Sequence, residues 1–229
     1  MKSDRISFIG DLPKECYIAV SGGADSMAIL DFMRKSDRDI KVIHFNHGTK
    51  HGAEAEAFVS DYCRSNNLTL EIGRIPEEEI SNHNGSSMEA FWREERYEFF
   101  SKFVGSKIIT AHNLDDQVEN HIFTSIRNGN SILIPYSRFL INPDDPLSKD
   151  GGLWCEVIRP FIVTKKCVLE SWCKRKNVPF IVDPGNSDYK YTRSFIRHEM
   201  VDMALRVNPG LHKLVKKFVL NEYRLKMAI

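Results

Sequence analysis

Cys16-Tyr17-Ile18-Ala19-Val20 runs directly into Ser21-Gly22-Gly23-Ala24-Asp25-Ser26. A short apolar run of this kind suits a buried strand. Behind the glycines, Met27, Ile29, Leu30, Phe32 and Met33 recur at helical spacing. Strand, glycine-rich turn and helix in that order open an α/β unit of the nucleotide-binding kind. Two glycines let the backbone curve tightly and aim N–H groups at an anion. The helix start adds the positive end of its dipole. Ser21 and Ser26 supply hydroxyls around Gly22, Gly23 and Ala24. Asp25 would repel a phosphate unless a cation lay between them, which points to Mg²⁺. The stretch has neither the G-x-x-x-x-G-K-[ST] nor the G-x-G-x-x-G pattern. An ordinary strand-to-helix turn with a serine cap is the plainer alternative.

The same alternation continues outward. Strands are expected at residues 40–46, 68–72, 107–110, 154–158 and 180–182. Helices are expected at 53–65, 87–103, 114–127 and 163–176. Residues 82–87 and 128–152 read as loops, the second rich in Pro, Gly and Asp. From residue 191 onward the pattern is helical, broken at Asn208-Pro209-Gly210. This rhythm predicts an α/β fold with a doubly wound parallel sheet. The expected division is an α/β domain over 1–190 and a small, basic, helical C-terminal extension over 191–229.

Composition narrows the class. Of the 229 residues, 42% are hydrophobic and 28% charged, which excludes a chain disordered throughout or collagen-like. No apolar run approaches the roughly 18 residues of a membrane span. The first twenty residues carry no uninterrupted apolar run of the about 7–15 residues of a leader's core, so no secretory leader is expected. Five cysteines, at 16, 63, 155, 167 and 173, suit a reduced, cytoplasmic protein better than a disulfide framework. Net charge is +1, but it is polarised. Residues 1–157 hold 17 Lys/Arg against 25 Asp/Glu, a net of −8. Residues 158–229 hold 15 against 6, a net of +9. That asymmetry suits a polyanionic partner such as nucleic acid, or else a solvated lysine-rich face.

Further polar motifs fall at the expected strand ends. Thr110-Ala111-His112-Asn113-Leu114-Asp115-Asp116-Gln117-Val118-Glu119-Asn120 leaves a strand and enters a helix. Asp115 and Glu119 stack four apart, and like charges at that spacing call for a cation or an arginine nearby. N-terminal capping explains the aspartates but not His112. His44-Phe45-Asn46-His47-Gly48 ends another strand. Its two histidines have no obvious third ligand, so ligand contact or a hydrogen-bonded turn is favoured over zinc. Glu89, Arg93, Arg96 and Tyr97 share one side of a helix, either as phosphate or carboxylate ligands or as a salt-bridged surface. Arg193 and Arg197, four apart, follow the turn Asp183-Pro184-Gly185-Asn186. They would bind an acidic group or pair with Asp183.

Taken together, these motifs resemble a known family. Ser21–Ser26 resembles the PP-loop of the N-type ATP pyrophosphatases. The ordered set is similar to the catalytic domain of the tRNA(Ile)-lysidine synthetases, from about Cys16 to about Pro209. That set is His44–Gly48, Glu89 with Arg93-x-x-Arg96-Tyr97, Thr110–Glu119, Ile158-Arg159-Pro160, and Asp183 with Asn186 and Arg193-x-x-Ile196-Arg197.

The resemblance implies a ligase. ATP and Mg²⁺ bind at the loop, and the wobble cytidine of a CAU-anticodon tRNA is adenylated through its C2 oxygen. The ε-amine of free lysine then displaces AMP. It implies ATP contacts from Ser21, Gly22, Gly23, Ala24, Asp25, Ser26, His44 and Asn46. Catalytic roles fall to Asp25, Arg93, His112, Asp115 and Asp116, with Mg²⁺ held by Asp25 and Asp116. Substrate or RNA contacts fall to Glu89, Arg96, Glu119, Arg159, Asp183, Asn186, Arg193 and Arg197. Family members are often homodimers.

This chain departs from the pattern at Asn113, where a second His is usual, at Asn120, where Thr is usual, and at Ser194, where Asn is usual. It also ends at Ile229, where family members continue into tRNA-binding domains. Two other classes compete. One is another PP-loop enzyme, a tRNA thiolase or a small-molecule amide-forming synthetase. The other is a non-catalytic ATP- or RNA-binding relative. The absence of CxxC weakens the thiolase branch.

Overall fold

The computed structural model describes residues 5–84, 87–142, 154–183 and 192–228. The central strand is β1 (Glu15–Ala19). Its alternate residues serve two layers. Cys16 and Ile18 face a core with helices α1 (Ala24–Arg34), α2 (Lys50–Ser65) and α6 (Lys166–Lys176). Tyr17 and Ala19 face the other side, toward α4 (Met88–Ser101). Strand β2 (Asp39–Asn46) pairs with β1 in parallel, and β3 (Leu70–Arg74) pairs with β2. A short helix α3 (Glu77–Asn82) and then α4 carry the chain back across the sheet. There β4 (Lys107–Ile109) pairs with the opposite edge of β1. Strand β6 (Cys155–Ile158) follows in parallel on β4, and β5 (Ser137–Leu140) closes the edge antiparallel to β6.

The sheet order is β3-β2-β1-β4-β6-β5. The doubly wound reading therefore holds for five of six strands, with one antiparallel edge. Strand order reverses between β1 and β4, the place where such sheets bind ligands. Ile18 lies opposite Ile109, so the chain segments leaving these two strands emerge side by side.

Helix α5 (Leu114–Asn128) ends on Gly129 at φ +71°. The segment beyond it was expected to be all loop, yet residues 137–140 form β5. The expected strand at 180–182 is absent: no strand pairs with this run, and Ile181 N–H instead donates to Gly22 O at 3.0 Å. Residues 82–87, expected as loop, begin with the last turn of α3. Helix α7 (Thr192–Phe195) passes through a π-helical turn (Ile196–Met200) into α8 (Val201–Val207), and α9 (Leu211–Met227) follows. Leu211 and Val215 of α9 are buried with Leu114 and Val118 of α5, while Val219 packs with Ile9, Ile162 and Val163. Full burial of such side chains contributes about 1.5–3 kcal/mol each. Among the described residues, no helix is long and apolar enough to cross a membrane.

Candidate active site

The loop after β1 is stabilised from within. Ser26 Oγ donates to Gly23 O at 3.0 Å and accepts from Ser21 N–H at 3.2 Å. Gly22 sits at φ +85°, where L side chains are strained. A Cβ there would also lie 3.1 Å from the Ile181 side chain, which would have to shift by a few tenths of an ångström. Gly23 caps α1 without any side-chain cap bond, which leaves the helix start open to an anion.

Asp25 stands in the first turn of α1. Its Oδ2 accepts from Asn113 Nδ2 at 3.2 Å, and its Oδ1 is buried without a partner. Burial, with Glu170 and Asp115 adding to it against Lys166, pushes the carboxyl up to about 6. Asn113 is itself a hub. Its Oδ1 accepts from the N–H of Asp115 (2.8 Å) and Asp116 (3.2 Å), and its own N–H donates to Asp116 Oδ2 at 2.8 Å. This is a capping box that also reaches back to the first loop. Burial and the neighbouring Glu119 push Asp116 up to about 7.

Asp115 points elsewhere. Its Oδ2 accepts from Lys166 N–H at 2.7 Å, capping α6, and its Oδ1 lies 3.1 Å from His212 Nε2 on α9. Burial would raise its pKa, but the His212 and Lys166 bonds together hold it below the usual range. The stacked Glu119 is met by Arg197, in a two-pronged pair at 2.7 and 2.9 Å. The expected neighbouring arginine is thus Arg197, which also lies 3.9 Å from Asp116.

On the other side stand β2 and α4. His44 Nδ1 meets Val20 O at 2.8 Å. A carbonyl only accepts, so Nδ1 carries the proton and buried Nε2 is left as an unpartnered acceptor. Burial lowers the pKa of His44, and it pushes His47 down to about 4. Asn46 Oδ1 accepts from Gly48 N–H, and its Nδ2 donates to Glu56. His112 Nδ1 is 2.8 Å from Thr110 Oγ1. Burial, then Arg159, Arg96, Arg93 and Arg193, hold it neutral, well below the usual histidine range.

Arg159 is 2% exposed, and donates to Pro135 O and Tyr97 Oη. Arg193 pairs with Glu89 at 2.6 Å rather than with Asp183, whose Oδ1 lies 3.9 Å from His51 Nε2. Asn186 lies outside the described residues.

Seven buried side-chain atoms lack a hydrogen-bond partner among the described residues. Six belong to Asp25, His44, His47, His51, Trp92 and Arg159, on segments at or beyond the carboxyl ends of the strands or on α4 beside them. Native interiors rarely leave such groups unsatisfied, so their gathering at one end marks a ligand site. A groove of about 450 Å³ lies at the opposite end, between Arg34, Tyr62, Asn66 and Asn177, away from all of these residues. Sequence reasoning passed over two features that matter here: Asn113 as a bridge, which had a local signal in the Asn-x-x-Asp capping spacing, and His212, which had none.

A family described as a PP-loop domain matches residues 6–204. The chain belongs to that family. Among its relatives, the PP-loop protein named tRNA(Ile)-lysidine synthase of Thermotoga maritima is 33% identical over 211 residues, covering 88% of this chain and 48% of that protein. The one of Staphylococcus epidermidis is 30% identical over 213 residues, covering 87% and 46%. This chain therefore spans just under half the length of these curated relatives. Among solved structures, an NH3-dependent NAD synthetase from Campylobacter jejuni matches at a TM-score of 0.45 and 15% identity, over 91% of this chain and 84% of that one. That likeness is too distant to bear on function.

Proposed function

We propose that this PP-loop chain is the catalytic part of a tRNA-modifying ligase. It would adenylate the wobble cytidine of a CAU-anticodon isoleucine tRNA with ATP and couple free lysine to it. Lysidine, AMP and pyrophosphate are the products. One observation carries the reading: Asp25 Oδ1 stands buried and unpartnered beside the open glycine loop, in a chain whose relatives bear that enzyme's name.

The ATP phosphates lie against the N–H groups of Gly22, Gly23 and the open start of α1, with the Ser21 and Ser26 hydroxyls beside them. His44 Nε2 is a ready acceptor for a ligand N–H. The residues present fit a magnesium ion: Asp25 Oδ1 is buried and unpartnered, and Asp25 and Asp116 share Asn113 as a donor. These two carboxylates would hold Mg²⁺, which would neutralise charge on the departing pyrophosphate. The cytidine C2 oxygen attacks the α-phosphorus and pyrophosphate leaves. The lysine ε-amine then attacks C2, and the C2–O bond breaks to release AMP. The Glu119–Arg197 pair holds opposite charges side by side, matching the ammonium and carboxylate of a free amino acid. Asp115 supports the site by tying α5 to α6 and α9.

A thiolase reading finds little support. Cys16, Cys63, Cys155 and Cys173 are buried, and burial pushes their thiols up to between about 11 and about 12. The test is incubation with Mg-ATP, isotopically labelled lysine and an unmodified CAU-anticodon isoleucine tRNA, then mass spectrometry of the digested nucleosides. Labelled lysidine is the expected product. RNA-stimulated pyrophosphate release without lysidine would assign the second step to another acceptor.

A further inference from the structure

Tyr97 lies at the centre of a concentration of positive charge. The guanidinium carbons of Arg93, Arg96 and Arg138 stand 5.5, 5.7 and 4.7 Å from its ring centroid. Its hydroxyl accepts from Arg159 Nη2 at 3.1 Å. The four arginines come from α4, from β5 and from the residue after β6. Ion pairs in this region go to Arg193 and Arg197, and among the described residues these four arginines have none. Four like charges around one ring repel one another, and the ring face offsets only part of that cost. Such an arrangement is stable when an anion occupies it.

The charge also has a direction. Arg159 is buried, with its Nε unpartnered, Arg96 is half-buried, and Arg93 and Arg138 are exposed. It therefore runs from the interior to the surface. Its place differs from that of the glycine loop. Tyr97 packs into the core layer on the α4 side of the sheet, whereas α1, which the glycine loop opens, packs into the layer on the other face. A free amino acid is a poor occupant, because it brings one carboxylate and at least one ammonium. A phosphodiester chain brings one negative charge per link and is matched by planar guanidinium forks.

We propose that Tyr97 and Arg138 complete a guanidinium cradle, with Arg93, Arg96 and Arg159, that holds the phosphodiester backbone of the RNA substrate apart from the loop that takes the ATP phosphates. This rests on the reading of the chain as an RNA-modifying ligase. Tyr97 acts as a positioning residue, stacking three of the arginines and hydrogen-bonding the fourth.

The test uses the full chain and two variants, Arg138→Gln at the surface and Tyr97→Phe, which keeps the ring. Affinity for an unmodified CAU-anticodon isoleucine tRNA transcript is measured across salt concentrations, and ATP affinity is measured without RNA. Arg138→Gln is expected to weaken tRNA binding roughly threefold to tenfold and to lower the salt slope by about 0.7–0.9, the value for one lost phosphate contact. ATP affinity is expected to hold. Tyr97→Phe is expected to weaken tRNA binding by a smaller factor. Weakened ATP binding with unchanged tRNA binding would overturn the proposal, and so would no change in either. These outcomes are separable from the fate of the ligase reading. Wild-type protein that binds this tRNA through the cradle but forms no lysidine defeats that reading alone.

Discussion

Asp25 and Asp31 lie six residues apart on the same helix, α1, at opposite ends of the sheet. Asp31 is 3% exposed, and its carboxylate is fully engaged: Lys35 Nζ at 2.6 Å, Trp172 Nε1 at 2.9 Å and Arg34 Nε at 3.4 Å. Asp25 has one hydrogen bond at 3.2 Å and one buried oxygen with no partner. The same contrast holds for the two ends of the fold. Near Asp31, Arg34 also bonds Asn66, and the local charges answer one another. Near Asp25, the polar groups wait for something outside the chain. Arg38 Nε is the one unpartnered buried atom among the described residues that lies away from the loop end. On this helix the carboxylate at one end is satisfied within the chain and the one at the other is left for a ligand.

The largest effect expected from this contrast is kinetic. Asp25→Asn should lower pyrophosphate release by about 10²–10³-fold or more, the size of losing one transition-state contact, with the melting temperature unchanged or raised. Asp31→Ala should do the reverse. It leaves the half-buried Trp172 N–H and two partly exposed cations without their acceptor, at about 1–3 kcal/mol. Chemical denaturation measures the loss, while activity per folded molecule stays near wild type.

The next effect is acid sensitivity. His47 titrates at about 4 in the folded chain, against an ordinary 6.5. At His47 the folded state thus binds fewer protons than the unfolded state between those values, so this group's contribution to stability falls as pH drops from 6.5 toward 4, against the opposite contributions of the raised Asp25 and Asp116 carboxyls. With its partial exposure discounted, the loss is about 2 kcal/mol. The stability of His47→Gln relative to wild type should therefore rise as pH falls through that range. The smallest effect is at Asn113. Replacing it by Ala should cost about 1 kcal/mol of stability as a lost helix cap. It should also lower activity more than stability, because Asp25 and Asp116 lose their shared donor. Asn113→Ser, which keeps a cap, should restore stability but not the bridge to Asp25.

The parts of the molecule legible in the sequence were those with local causes. The run from Cys16 to Met33 carries its strand, its left-handed Gly22 and its helix within eighteen residues. The Asp115–Glu119 spacing called for a cation or an arginine nearby, and an arginine stands there because the π-helical turn after α7 lies against α5. What escaped depends on pairing across long separations. Residues 137–140 sit in a Pro-, Gly- and Asp-rich stretch and are a strand only because β6 lies beside them. Residues 180–182 are apolar enough for a strand but fill the space over Gly22 instead. His212 reaches Asp115 from 97 positions away, and nothing in its own neighbourhood marks it. Arg138 joins Tyr97 through the same unanticipated strand.

The central claim is that the open glycine loop and the unpartnered Asp25 carboxylate exist for Mg-ATP. It is tested most directly by thermal unfolding of wild type and Asp25→Asn with and without Mg-ATP. At a hundred times the dissociation constant, binding adds about 2.7 kcal/mol. For a chain of this size that is a rise of roughly 5–10 °C. The account predicts this rise for the wild type and little or none for Asp25→Asn, with the two proteins melting alike, or Asp25→Asn higher, in the absence of nucleotide. An equal rise in both proteins, or no rise in the wild type, would contradict it.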